Sequence, residues 1–592
     1  MERSYDVQNI SSSGYTFILT GGEEDFDVSL SLKQSATGII RLNMKLQSDE
    51  PRIPGAMELT WQLPIIDVFA CWHPGFYRNK RLRVDWESGF RSKATSSAPV
   101  CVLYGFQGNN KMTFAFSDAL NLVELKAGIH EEASNFLCSV KLFQDLSSPI
   151  QSYEATLHID TRDIPYEESL ADVQRWWSTL PGYEPSPVPD TAKLPMYATW
   201  YSFHQQLSAE AVERQCEIAK AMGCESVIVD DGWQTADNAR GYAYCGDWDV
   251  FEGKIPDMRA HVDRIHKIGM KFLLWYSVPF VGKHSNVWLK FENKLLGKIE
   301  DLGAGVLDPR FPDVREYIIG TYEKALRDWD LDGFKLDFVD SFNLTLASNI
   351  EGRDYESVPE AVDRLLSDVM SRLRAIKPDI MIEFRQSYIG PLMRKYGNMF
   401  RAMDCPNDAL ENRSRTLDVR LLAGDTAVHA DPLMWNPEEP TENAALQFVN
   451  TLFAVPQVSV LLDQLPESHL RMLRFWLSFW REKREVLQDG RLTAKHPELV
   501  YPLVTASGDD EAITAVYADI VANPGSRIPK TWFIVNGTLN DRIVIELEES
   551  MGERNVVIRD CQGQVTSTYK SVFAMGLHPI AIPPAGIAVF EA

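Results

Sequence analysis

Between about residue 195 and residue 490, eight short apolar runs recur, and amphipathic helical segments separate most of them. The runs are MYATWYSF, ESVIVDDGW, KFLLWYSVPF, GFKLDFVD, IMIEFRQSY, MFRAMDCP, AVHADPLMW and QVSVLL. The segment AEAVERQCEIAKAMG follows the first, MRAHVDRIHKIGM the second, VREYIIGTYEKALRDWD the third and PEAVDRLLSDVMSRLRAIKP the fourth. Short continuous apolar runs read as strands buried on both faces, and strands alternating with helices read as βα units. Eight such units predict a closed (β/α)8 barrel. A doubly wound sheet would have fewer strands and often a glycine-rich phosphate turn, which is absent.

The flanks have another texture. Residues 1 to about 165 hold short β-rich runs such as TGIIRLNMKLQ and YEATLHID, an antiparallel pattern. ESLADVQRWWSTL reads as a helix and PGYEPSPVPDTAKLP as a linker. After about 495 the β texture returns in TAVYADI, KTWFIVNGTL, DRIVIELEE, RNVVIRD and GIAVFEA. The predicted organisation is an N-terminal β-sandwich over 1–180, a catalytic barrel over 190–490 and a smaller C-terminal β-sandwich over 495–592. A chain of 592 residues exceeds one core, so several domains are expected.

The net charge of −24 repels nucleic acid and anionic lipid. The opening MERSYDVQNISSSGY lacks a basic start and an apolar run, so no secretory leader is expected. No stretch nears the roughly 18 continuous apolar residues of a membrane span. The eight cysteines, Cys71, Cys101, Cys138, Cys216, Cys224, Cys245, Cys405 and Cys561, form no C-x-x-C pair. Reduced thiols and a cytoplasmic location are the expectation.

In a barrel, functional side chains project from the C-terminal strand ends. The second run ends in Asp230, Asp231 and Trp233, and the third carries Trp275. The fourth carries Lys335, Asp337 and Asp340, and the fifth Glu383, Arg385 and Gln386. The sixth offers Arg401, Asp404 and Asp408, and the seventh His429, Asp431 and Trp435. One Asp at a strand end is often just a helix N-cap, but acids at five strand ends suit a sugar site. Alternation puts Lys335 and Asp337 on one side of their strand, where a cation keeps the carboxylate ionised for attack on an anomeric carbon. A proton donor with a raised pKa must face it. Asp404 is the first candidate and Asp408 the second. Only His429 offers an imidazole at a strand end, so a metal-dependent hydrolase is disfavoured, and no metal or cofactor is expected.

SVIVDDGWQ, GDWDVFEGKIPDMRAHVDRIHKIGMKFLLW and WDLDGFKLDF resemble the α-galactosidase clan, nearest to family 36 glycoside hydrolases and more distantly to family 27. The resemblance spans residues 195 to about 490. It implies a retaining α-galactosidase, a glycoside hydrolase with Asp337 as nucleophile and Asp404, after Arg401, as acid/base. It also implies sugar contacts from Asp230, Asp231, Lys335 and Trp200, alongside Trp233, Trp275, Arg385, Arg401 and Asp408 from the strand-end reading. The implied partner is an α-galactoside or small oligosaccharide, with no nucleic acid and no membrane, and a homo-oligomer is left open. EFRQSYIGP stands where the family carries a cysteine- and glycine-rich segment, M-D-C-P-N-D replaces S-D-N-x-D, and FVD replaces M-N-R. An α-N-acetylgalactosaminidase, a β-L-arabinopyranosidase and a raffinose-synthase-type transglycosylase therefore stay as alternatives. So does an inactive sugar-binding protein.

Overall fold

A computed structural model describes residues 8–592 apart from 13, 24, 76–77, 146, 344–350 and 526. Part of the opening segment read above as lacking a leader, residues 1–7, lies outside the described residues.

The eight apolar runs form one parallel eight-stranded sheet. Its strands are β1 (Met196–Ala198), β2 (Ser226–Val229), β3 (Lys271–Ser277), β4 (Gly333–Asp337), β5 (Met381–Arg385), β6 (Met399–Arg401), β7 (Ala427–His429) and β8 (Gln457–Val458). Neighbours pair in chain order, and β8 returns to β1 through Met196 opposite Gln457. Between β7 and β8 the closure rests on isolated bridges, His429 to Val455 and Leu433 to Val458. The chain is thus a (β/α)8 barrel with β-rich flanks, as the alternating texture predicts.

The four named helical segments are helices: Ala209–Met222, Met258–Ile268, Pro312–Trp329 and Val358–Ile376. Ser208 and Asp257 cap the first two by accepting backbone N–H bonds, and Gly223 and Gly269 end them in the left-handed region. One excursion lies outside the eight barrel strands. Phe280–Gly282, Leu295–Ile299 and Ala304–Leu307 make a three-stranded antiparallel sheet between β3 and its helix.

Ahead of the barrel, a seven-stranded and a six-stranded sheet enclose a core that includes Phe17, Leu42, Trp61, Phe114 and Leu157. Behind it, a seven-stranded and a three-stranded sheet enclose Trp532, Ile545, Val556 and Phe590. Both flanks meet the barrel at a dry polar node. Asp418, on the helix Ala409–Ala423, accepts from Lys80 Nζ at 2.8 and 3.0 Å, from Trp72 Nε1 at 2.9 Å, and from the Tyr501 hydroxyl. Lys80 and Trp72 come from the first flank and Tyr501 from the last.

Candidate active site

Strand β4, GFKLD, is buried along its whole length. Phe334 packs outward against Tyr276 and Tyr322, while Lys335 and Asp337 point to the barrel's inside. Phe338 then takes φ +64°, which ends the strand and leaves Asp337 at its tip. Asp337 Oδ1 accepts from Arg385 Nε at 2.7 Å, the Tyr388 hydroxyl at 2.5 Å and the Phe338 N–H at 2.8 Å. Oδ2 accepts from Trp275 Nε1 at 3.1 Å. Burial works against the charge. The guanidinium of Arg385 and the ammonium of Lys335, with the bonds from Tyr388 and Trp275, outweigh it and hold the carboxyl far below the usual range.

The cation bonded to Asp337 is therefore Arg385 of β5. Lys335 acts on Asp337 only through its charge, because its Nζ bonds Asp230 Oδ2 at 2.6 Å. That bond ties the tips of β4 and β2. Beyond β2 the chain turns at Gly232, with φ +113°. A Cβ there would lie 2.5 Å from Gln205 Cα, so only glycine fits. The turn lets Asp230 and Asp231 both occupy the mouth. Asp231 accepts from Gln205 at 2.6 Å and Gln234 at 2.7 Å. Burial pushes its pKa up to about 6 despite those bonds.

Trp233, expected to touch sugar, is swung away from the mouth by the same turn. It is fully buried, donates Nε1 to the Trp275 carbonyl and packs on Trp248, Tyr276 and Trp329. Trp275 is likewise buried, and its route to the site is the bond to Asp337. Trp200 is half-buried at the mouth end of β1, with its ring edge-on to His204.

Arg401 of β6 is 1% exposed and splits its guanidinium. NH1 donates to Asp431 at 2.5 Å and NH2 to Asp404 at 2.7 Å. The Asp404 side chain is 45% exposed, so it reaches solvent in the mouth. Its expected raised pKa is not seen. Burial pushes it up, but Arg401, then Lys335 and Arg385, pull it below the ordinary value, while the charge of Asp337 acts the other way. Asp408 is not a second acid in the mouth. Its Oδ1 caps the helix Ala409–Ala423 by accepting from the Glu411 N–H, and its Oδ2 binds Arg78 of the N-terminal flank.

Three contributors were missed by sequence reasoning: Tyr388, Gln205 and Tyr201, whose hydroxyl donates to Asp431 at 2.8 Å. All three lie in loops or a short helix beyond strand ends, where two-residue periodicity gives no signal. Glu383 sits below the site, with Oε2 accepting from Gln457 at 2.5 Å, and burial pushes its pKa up to about 7. His429 donates Nε2 to the Ala192 carbonyl and is pushed down to about 4 by burial, so it is a neutral core residue. Among the described residues no group of three or more His, Cys, Asp or Glu side chains could hold a metal ion. Beside Asp230 and Asp231, the mouth thus holds Asp337, ionised and fixed by four donors, and Asp404, whose side chain is open to solvent.

Residues 191–392 match the Melibiase family model. An α-galactosidase of Lactobacillus acidophilus is 27% identical over 199 residues, covering 31% of this chain and 26% of the relative. An Escherichia coli α-galactosidase is 27% identical over 222 residues, covering 36% and 30%. The matched stretch therefore spans less than a third of the length of either relative. The fold extends further: the family 36 α-galactosidase AgaA of Geobacillus stearothermophilus superposes with a TM-score of 0.69 over 100% of this chain and 88% of that one, at 14% identity. The chain carries a Melibiase domain over residues 191–392 and, in sequence and fold, resembles the family 36 glycoside hydrolases of the α-galactosidase clan.

Proposed function

We propose that the protein is a retaining α-glycoside hydrolase that releases terminal α-galactose, with Asp337 as nucleophile and Asp404 as acid/base. The observation that carries this reading is the state of Asp337: ionised, at a strand tip, with three donors on Oδ1 and one on Oδ2. Oδ2 is the less occupied oxygen and is the one assigned to attack the anomeric carbon. Arg385 and Tyr388 orient the carboxylate, and Trp275 guides the attacking oxygen.

Asp404 then protonates the leaving oxygen. A sugar seated over it removes water and raises its pKa toward that task. Once Asp337 becomes an ester, its charge no longer raises the pKa of Asp404, which falls back and suits a base drawing a proton from water. Asp230 and Asp231 are assigned to the galactose 4- and 6-hydroxyls, because ionised acceptors bind hydroxyls strongly and an equatorial 4-hydroxyl would leave one unpaired. Support for the sugar comes from the names of the relatives and from AgaA variants solved with raffinose and stachyose. A cytoplasmic setting is part of the proposal. All eight cysteines are buried and none is in a disulfide.

A panel of nitrophenyl glycosides tests the reading. The α-galactoside should be cleaved at least about a hundredfold better than the α-glucoside, and Asp230→Ala should erode that ratio. A preference for the glucoside, the α-N-acetylgalactosaminide or the β-L-arabinopyranoside would overturn the substrate assignment.

A further inference from the structure

Asp431 lies just past β7 and is fully buried. A carboxylate persists in a dry site only where donors satisfy it. Oδ1 accepts from Arg401 NH1 at 2.5 Å, and Oδ2 accepts from the Tyr201 hydroxyl and the Cys405 N–H, each at 2.8 Å. Asn412 grips the backbone on both sides: its Oδ1 accepts from the Asp431 N–H at 3.0 Å and its Nδ2 donates to the Asp431 carbonyl at 2.9 Å. The helix Ala409–Ala423 thereby fixes Asp431, and Asp431 fixes Cys405, the neighbour of Asp404.

Two carboxylates thus compete for one guanidinium. Arg401 donates to Asp431 through NH1 and to Asp404 through NH2. Its Nε has no hydrogen-bond partner among the described residues, and Glu383 Oε1 stands 3.9 Å away. Burial pushes Glu383 up to about 7, which makes it the weaker rival. An Arg401 that gave its whole charge to Asp404 would hold that carboxyl ionised, and an ionised Asp404 cannot protonate a leaving group. Of the other groups around Asp404, Lys335 and Arg385 lower its pKa and Asp337 raises it. Burial and Arg240 lower the pKa of His204, so it is neutral at pH 7. Burial keeps the Cys405 thiol and the Tyr201 hydroxyl protonated.

We propose that Asp431 is a positioning residue for the acid/base step: it draws Arg401 away from Asp404 and pins the backbone beside it, so that Asp404 keeps a proton for the leaving oxygen. The inference rests on Asp404 being the acid/base. Burial pushes the pKa of Asp431 up to about 6 against the pull of Arg401. Above that pH Asp431 is charged and shares the guanidinium. Below it Asp431 takes up a proton and releases Arg401 to Asp404.

Asp431→Asn keeps the shape and removes the charge. Profiles of kcat/KM against pH, on raffinose and on a nitrophenyl α-galactoside, read the effect. Activity that needs a protonated group is lost as pH rises through its pKa. Freed of its rival, Arg401 lowers the pKa of Asp404, so the alkaline limb on raffinose should move down by about one pH unit. Wild type and variant should converge below about pH 6, where Asp431 is itself protonated. Nitrophenyl cleavage, which scarcely needs the proton, should change by less than about threefold. Tyr201→Phe removes one donor to the charged Asp431, raises its pKa and should move the limb the same way by less. It decides alone where Asp431→Asn fails to fold, with circular dichroism as the check. An alkaline limb that stays in place in the folded variants, or equal loss on both substrates at every pH, would overturn the proposal. Failure of the underlying acid/base reading looks different: the single variant Asp404→Ala would then damage both substrates equally.

Discussion

The Tyr388 hydroxyl donates to Asp337 Oδ1 at 2.5 Å, on the same oxygen that Arg385 Nε binds at 2.7 Å. One carboxylate oxygen is thereby committed to holding the group in place. The other is left with Trp275 alone among these side-chain donors. A carboxylate so held is both ionised and oriented, which are the two properties a nucleophile at a strand tip needs.

Tyr388→Phe should retain the fold and lower kcat/KM by about 10- to 100-fold, the worth of one hydrogen bond to a charged group. The pKa of Asp337 lies below its ordinary value in the folded protein. Removing a donor to the charged form raises it, so the acidic limb of the kcat/KM profile should move to higher pH. A pH–rate profile checks this, and an unmoved acidic limb would mean that Tyr388 serves packing only.

Asp404 and Asp408 should separate cleanly. Asp404→Ala should damage cleavage of an oligosaccharide far more than cleavage of a nitrophenyl glycoside, whose leaving group scarcely needs a proton. Asp408→Ala removes a helix cap and should cost about 1 kcal/mol of stability with kcat changed little. Rates on the two substrate types, with denaturation midpoints, check both. Equal damage to both substrates in Asp404→Ala would contradict its role.

Lys80→Met should be destabilising by about 3–5 kcal/mol, because Asp418 is left dry and without a cation. Burial already raises the pKa of Asp418 and Lys80 opposes that rise. Without the lysine the ionised form is penalised further. The deficit should therefore be greatest at neutral pH and should vanish as pH falls below the ordinary carboxylate range. Urea unfolding at several pH values measures it, and a pH-independent deficit would place the loss in packing.

The barrel was legible because its strands are buried on both faces and so appear as unbroken apolar runs, from MYATW to QVSVL. The strand Val565–Phe573 was not, since in VTSTYKSVF only the last residue, Phe573, is buried and no alternation is imposed. In the site, Asp337, Asp230 and Arg385 were readable from their places at strand tips. Trp233 was misplaced because the backbone reversal at Gly232 carries the next residue back into the core. Asp408 could have been read as a cap: D-A-L-E, with Glu411 three residues on, is a helix-start pattern. Tyr388 had no such signal. Its position depends on how the loop after β5 folds back over Asp337.

Trapping the covalent intermediate tests the central claim most directly. Protein treated with an activated fluorogalactoside is digested, and the labelled peptide is sequenced by mass spectrometry. One fluorogalactosyl unit is expected, on Asp337, and none in Asp337→Asn, whose turnover should fall by about 10³-fold or more. A label on another residue, or an Asp337→Asn variant that keeps more than about a tenth of wild-type turnover, would contradict it.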